Sequence, residues 1–150
     1  MFNPLAVEAD PSQPETISVQ PGDRMPGIPK HRLKVGGDVR FGDASVGASA
    51  QYASSQFLRG DENNQQPQLP GYTVVNLRAE YTFTPQWRVF ARVDNVFDRE
   101  YSTLGAYNRN AFDANSQPLE GVGPGPVERF VSPGTPRSYW VGVEFRFGGE

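Results

Sequence analysis

The sequence predicts an all-β fold: an antiparallel meander of about five membrane-crossing strands, part of an outer-membrane-type β-barrel. Three observations predict it. Several windows alternate apolar and polar residues with period two, whereas helical periodicity is weak throughout. Charged residues in those windows keep to one face. Short and long connections alternate along the chain, so that each kind falls on one edge of the sheet.

Composition agrees. Of 150 residues, 37% are hydrophobic, and the mean hydropathy is -0.56. Strands of a membrane barrel turn only every second side chain toward lipid, so low average hydropathy is compatible with a membrane protein. No apolar run reaches the roughly 18 residues a transmembrane helix needs. A net charge of -3 is too balanced for a nucleic-acid partner. The absence of cysteine excludes disulfides and thiolate metal sites. Sixteen glycines and fourteen prolines require many turns.

Residues 1–30 are expected to be loop, with neither the basic start nor the apolar core of a signal peptide. The first strand is expected at about 31–41. Leu33, Val35, Val39 and Phe41 oppose Arg32, Lys34, Asp38 and Arg40, because successive side chains of a strand point to opposite faces. Gly42–Asp43 supplies a tight turn. A second strand at about 44–58 alternates Val46, Ala48, Ala50 and Tyr52 with small polar residues, and the alternation fades after Tyr52. A polar connection, 59–70, leads to a third strand at about 71–83, where Val75, Leu77, Ala79, Tyr81 and Phe83 oppose Asn76, Arg78, Glu80 and Thr82. After the turn Thr84–Pro85–Gln86, a fourth strand at about 87–97 sets Trp87, Val89, Ala91 and Val93 against Arg88, Arg92 and Asp94, with Phe90 as a misfit on the polar side. A long Gly/Pro/Asn-rich loop is expected from Asp98 to about Pro136. The last strand, about 137–147, sets Tyr139, Val141, Val143, Phe145 and Phe147 against Trp140, Gly142, Glu144 and Arg146.

A lysine or arginine facing lipid at mid-bilayer costs roughly 2–4 kcal/mol in a barrel, which explains a charge-free face. Aromatic residues collect at strand ends. Phe41, Phe83, Trp87, Phe145 and Phe147 map to the short-turn edge. Tyr52, Phe57, Phe97 and Tyr139 map toward the long-loop edge, as in the two interfacial girdles of a barrel. Five strands cannot close, and an open edge cannot be satisfied in lipid. The chain is therefore expected to be part of a longer one.

Four segments resemble TonB-dependent outer-membrane receptors. Pro26–Gly–Ile–Pro29 leads into the first strand as a family loop does. Val93–Asp–Asn–Val–Phe–Asp–Arg–Glu–Tyr101 resembles the family's Asn-hydrophobic-Phe-Asp-x-x-Tyr signature, here Asn95, Phe97, Asp98 and Tyr101. The Pro136–Arg137 pair is similar to the entry to the terminal strand, and 141–147 is similar to that strand itself. The resemblance implies the C-terminal part of a large outer-membrane β-barrel of about 22 strands with a plug in its lumen, the plug being absent from this chain. It implies a receptor for TonB-coupled active uptake of a scarce ligand such as a ferric siderophore. Implied partners are outer-membrane lipid, the barrel-assembly machinery, and the TonB complex, reached through an N-terminal part that this sequence lacks. Gly142, Phe145 and Phe147 are candidate assembly-signal residues, although Gly148–Gly–Glu150 follow the aromatic that usually ends such a strand. A passive porin-like or structural barrel segment and a soluble β-sandwich binding module are the alternatives.

No enzyme is expected and no cofactor. His31 is the only histidine, so neither a metal site nor a Ser/His/Asp arrangement can be built on it. Asn95, Phe97, Asp98 and Tyr101 suit a strand end and loop start, where Asn and Asp bond to nearby backbone. Glu80, Asp94 and Glu144 fit an ion-pair lattice better than paired catalytic acids. Tyr107, Arg109 and Phe112 mark a loop that would face outside in a barrel, where they could contact a polar ligand.

Overall fold

The structure is a computed structural model that describes residues 18–110, 112, 117–118 and 127–147. These fall into two compact units. One is a five-stranded antiparallel sheet in the order β1-β2-β3-β4-β7. Its strands are β1 (Arg32–Phe41), β2 (Ala44–Ala53), β3 (Tyr72–Thr84), β4 (Trp87–Asp94) and β7 (Ser138–Phe145). The other unit contains residues 18–30 and 55–70, together with a two-stranded sheet of β5 (Ser102–Arg109) and β6 (Val127–Pro133). Among the described residues there is no helix.

Register in the large sheet sorts side chains strictly by face. Directly paired residues share a face in an antiparallel ladder. Leu33 pairs with Tyr52, Val35 with Ala50 and Val39 with Val46. That face continues through Ala48–Leu77, Val46–Ala79 and Ala44–Tyr81. It then runs through Leu77–Val93, Ala79–Ala91 and Tyr81–Val89 to Val89–Val143, Ala91–Val141 and Val93–Tyr139. No charged residue stands on it. Most of the large side chains along it are exposed, Val141 at 78% and Val143 at 61% among them, while Val89 and Val93 are half-buried. The buried hydrophobics of this unit, Ala53 and Val74, stand in the opposite rows, paired with Arg32 and Gln51. A soluble sandwich buries its apolar face. This sheet exposes it, as barrel strands do to lipid.

The turns follow their residues. Gly42 takes φ +57° between β1 and β2, a conformation open to glycine. Between β3 and β4, the Thr84 hydroxyl accepts hydrogen bonds from the backbone N–H groups of Gln86 (3.3 Å) and Trp87 (3.2 Å). At this edge Trp87 packs on Phe145, and Phe145 on Phe147, each at 4.6 Å between centroids.

Three expectations need correction. The second strand stops at Ala53, not Leu58. Past it, Gln56 and Leu69 exchange backbone hydrogen bonds, and Phe57, Leu58 and Leu69 are buried. Phe57 is therefore a core residue of the smaller unit and not part of an aromatic girdle. The fourth strand stops at Asp94, not Phe97, because Asn95 and Asp98 both adopt φ +52°, outside the strand region. The stretch 98–136 is not one loop, since it holds β5 and β6 paired from Ser102↔Pro133 to Arg109↔Val127. The expected loop 1–30 is described only from residue 18, and Gly148–Glu150 lie outside the described residues.

Candidate functional site

The polar face of the large sheet is built from cross-strand rows. One row runs Asp38–Gly47–Arg78–Arg92–Trp140. Asp38 and Arg78 stand two strands apart and meet over Gly47, with Arg78 Nε donating to Asp38 Oδ1 at 2.7 Å. A Cβ at Gly47 would lie 2.1 Å from that carboxylate oxygen. The contact therefore needs glycine here. Arg78 and Arg92 are directly opposed like charges, a destabilising pair unless neutralised. Arg92 is neutralised by Asp94 (2.6 and 2.9 Å). On the short-turn side, Arg88 bridges Glu80 (3.4 Å) and Glu144, and Arg146 donates to Glu144 at 2.8 Å.

Phe90, the misfit in the alternation, pairs with Gly142. Its ring covers that glycine: a Cβ at Gly142 would lie 2.3 Å from Phe90 Cζ. An aromatic ring placed over a cross-strand glycine restores the packing the glycine lacks. Gly142→Ala in the intact receptor should destabilise the barrel by about 1–3 kcal/mol through overpacking. Adding Phe90→Ala should recover part of the loss, read from urea unfolding midpoints. Phe90 and Trp140 line a concavity of about 730 Å³ together with Asp38, Arg40, Arg78 and Arg92. A second, of about 330 Å³, lies among Arg40, Glu80, Arg88, Glu144 and Arg146.

The motif residues gather where β4 ends and β7 begins. Asn95 is 1% exposed. Its amide nitrogen donates to the carbonyls of Arg99 (2.9 Å) and Thr135 (3.1 Å), and its carbonyl oxygen accepts from Arg99 N–H at 2.8 Å. Its own N–H donates to the Asn76 side-chain oxygen at 2.9 Å. Asp98 accepts from the Arg137 backbone N–H and guanidinium, both at 3.2 Å. Gly134 donates its N–H to the Tyr101 carbonyl at 2.7 Å. The Tyr101 ring lies over Gly134, which has no room for a Cβ, and packs against Tyr72 at 4.4 Å. The Pro136 carbonyl accepts from the Ser138 hydroxyl at 3.0 Å. Phe97 projects from this cluster, 76% exposed. Asn76 went unrecognised in the sequence, because only the strand register brings it to Asn95.

In the smaller unit, Arg59 donates to the Gly105 carbonyl (3.1 Å) and accepts from Tyr107 N–H (2.7 Å). Leu58 fills the space above Gly105. Gly27 N–H donates to the Phe57 carbonyl at 2.8 Å, and the Arg24 guanidinium lies 4.8 Å from the Phe57 ring centre. Asp61 is fully buried and accepts from the N–H groups of Gln65 (2.8 Å) and Gln66 (3.1 Å). Burial pushes its carboxyl above the usual range, partly offset by those two amides. Tyr107 is a half-buried residue of β5, whereas Phe112 is 52% exposed. Arg109 ends β5, and its side chain lies outside the described residues. His31 sits at the end of the large sheet, where its N–H donates to the Ser54 hydroxyl at 3.1 Å. Among the described residues no group of three or more His, Asp or Glu could hold a metal.

Comparison with known proteins places this architecture. The chain is 30% identical over 100 residues to the metal-pseudopaline receptor CntO of Pseudomonas aeruginosa, a match covering 63% of this chain and 14% of that protein. The solved copper transporter OprC superposes with a TM-score of 0.58 at 26% identity, over 82% of this chain and 18% of that one. The ferric-catecholate import receptor Fiu of E. coli K12 shares the fold, with a TM-score of 0.56 at 20% identity over 79% of this chain and 16% of that one. The chain thus spans less than a fifth of each of these proteins. The family model "TonB dependent receptor-like, beta-barrel" matches residues 9–96, more than half of the sequence, and the chain belongs to that family.

Proposed function

We propose that this chain forms the C-terminal part of the barrel of an outer-membrane receptor that takes up a scarce metal chelate with TonB-delivered energy. The observation that carries the reading is the two-sided sheet: one exposed face free of charge, the other an arginine–carboxylate lattice. The first suits lipid and the second a water-filled or plug-filled lumen. The names of the relatives, a metal-pseudopaline receptor, a ferric-catecholate importer and a copper transporter, favour a metal complex as cargo. A ferric siderophore is the particular cargo we favour. TonB would act through parts of the receptor outside this sequence.

Within this reading the Asn95–Asp98–Tyr101 cluster is structural. It fixes the crossing from β4 to the surface hairpin and back to β7 through Pro136 and Arg137. Gly142, Phe145 and Phe147 serve the assembly machinery. Gly142 carries in addition the packing of Phe90. Tyr107, Arg109 and Phe112 belong to the surface that first meets the chelate.

The test is metal accumulation by cells that depend on the intact receptor. Deleting 138–147 should abolish accumulation and the folded, heat-modifiable band together. Replacing Tyr107, Arg109 and Phe112 with alanine should weaken chelate binding about tenfold or more and leave that band intact. Unchanged affinity would remove these three residues from the ligand surface.

A further inference from the structure

The smaller unit keeps its core in a connection. Connecting segments ordinarily run over the surface, yet in 55–70 Gln56, Phe57, Leu58, Gly60, Asp61 and Leu69 are buried. The segment is tied on two sides. Toward 18–30, the Asn64 side chain accepts from the Arg24 N–H at 2.6 Å and donates to the Arg24 carbonyl at 2.9 Å, and the Gly27 N–H donates to the Phe57 carbonyl. Toward β5, Arg59 bridges Ala106 in parallel, through its bonds to the Gly105 carbonyl and the Tyr107 N–H. The Gln56 side-chain nitrogen adds a bond to the Thr103 carbonyl at 3.0 Å. Side chain meets backbone at Gly105. A Cβ there would lie 2.7 Å from Leu58 Cδ2, 3.0 Å from Leu58 Cγ and 3.3 Å from the Phe130 carbonyl oxygen. Leu58 itself is 1% exposed.

We infer that Leu58, seated on Gly105, is a positioning residue for ligand capture: it holds the β5–β6 hairpin so that Tyr107 stands in one arrangement before the chelate arrives. The inference rests on the reading of Tyr107 as part of the ligand surface, and it names what sets the affinity of that surface. A two-stranded hairpin by itself is at best marginally stable in water, so β5 and β6 need this support. Alternate side chains of a strand point the same way. Gly105 and Tyr107 therefore share a face of β5, and Leu58 fills that face one step before the ring. The Tyr107 N–H is held beside it by the Arg59 carbonyl, at 2.7 Å. A larger residue at 105 displaces Leu58, and with it the connection whose next residue, Arg59, holds Tyr107. Only molecules already in the competent arrangement bind, so the apparent Kd rises in inverse proportion to their fraction. Order imposed before binding is order the complex does not have to impose.

The experiment uses the intact receptor and two readouts: hydrogen exchange of the Tyr107 amide, which reports local opening, and affinity for a probe. The probes are a ferric catecholate, a metal–pseudopaline complex and copper ion, after the names of the relatives. The one that the native receptor binds most tightly is used throughout. Gly105→Ala should speed exchange at Tyr107 about tenfold or more and raise the Kd about tenfold, as the competent fraction falls to about a tenth. Leu58→Ala, which empties the seat and does not crowd it, should do the same. Joining Gly105→Ala to Leu58→Val, which nearly conserves volume, should restore most of both, and absence of that recovery would overturn the proposal. Faster exchange with an unchanged Kd in either single variant would also overturn it, because the contact would then hold the hairpin without positioning the ligand surface. So would exchange at Tyr107 that neither single variant changes. The Tyr107, Arg109, Phe112 alanine variant reports separately on the ligand surface. If it binds the probe as tightly as the native receptor, that reading fails. If it loses affinity while Gly105→Ala keeps it, only the positioning role fails. A native receptor that binds none of the three probes contradicts the metal-chelate reading and removes this proposal with it.

Discussion

Asn95→Ala in the intact receptor should lower barrel stability by about 3–5 kcal/mol. Each buried backbone group left without a partner costs roughly 1–3 kcal/mol. This change removes the Asn95 amide from the Arg99 N–H, the Arg99 carbonyl and the Thr135 carbonyl together, and because Arg99 and Thr135 are both exposed water offsets part of the three penalties. It also forces alanine into φ +52°, where an L-residue other than Asn or Asp is penalised by about 1–2 kcal/mol. Asn95→Gly separates the two effects: it loses the same hydrogen bonds without the backbone strain, and should be the milder variant. Asn95→Asp keeps an acceptor for Arg99 N–H but cannot donate to either carbonyl, so it too should be severe. The measurement is the urea midpoint of the reconstituted receptor, read alongside chelate affinity. A loss of affinity with an unchanged midpoint would make Asn95 a ligand contact and not part of the clasp between β4 and β7.

Val46→Arg should cost roughly 1–3 kcal/mol in lipid vesicles, between the cost of arginine at the middle of a barrel's lipid face and that near its interface. Val46 stands on the apolar face beside Val39 and Ala79, three residues into β2 from the short-turn edge, and is 49% exposed. An arginine there meets no steric obstacle, so the cost comes from lipid. In a sheet facing water the same change would fall within about 0.5 kcal/mol. Ser49→Arg, on the polar face opposite Asn76, is the control and should be nearly neutral. Equal, small effects at the two positions would mean that the apolar face does not meet lipid.

The five-stranded sheet was legible because each of its faces keeps one chemistry over 8 to 13 residues. Period two is visible without knowing the partner strand. Phe90 was the exception, and the structure assigns its cause to Gly142, which lies 52 positions away in sequence and beside it in space. The smaller unit was not legible. β5 and β6 are separated by a Gly/Pro-rich stretch. Leu104 and Ala106 alternate with Gly105, whose role depends on Leu58 in another connection. The burial of Phe57, Leu58 and Leu69 depends likewise on contacts between distant segments. The motif showed its residues in the sequence, but its work on Thr135 and Asn76 appears only when β3, β4 and β7 are set in register.

The most direct test of the central claim is a nitroxide scan of positions 33–40 and 45–52 in the intact receptor in lipid vesicles. Collision rates with oxygen, which concentrates in lipid, would be compared with those for a water-soluble nickel chelate. Leu33, Val35, Gly37, Val39, Val46, Ala48, Ala50 and Tyr52 should favour oxygen, and the residues between them should not, in strict alternation along both strands. Equal access of the nickel chelate to both sets would contradict a lipid-facing sheet and return the fold to a soluble one.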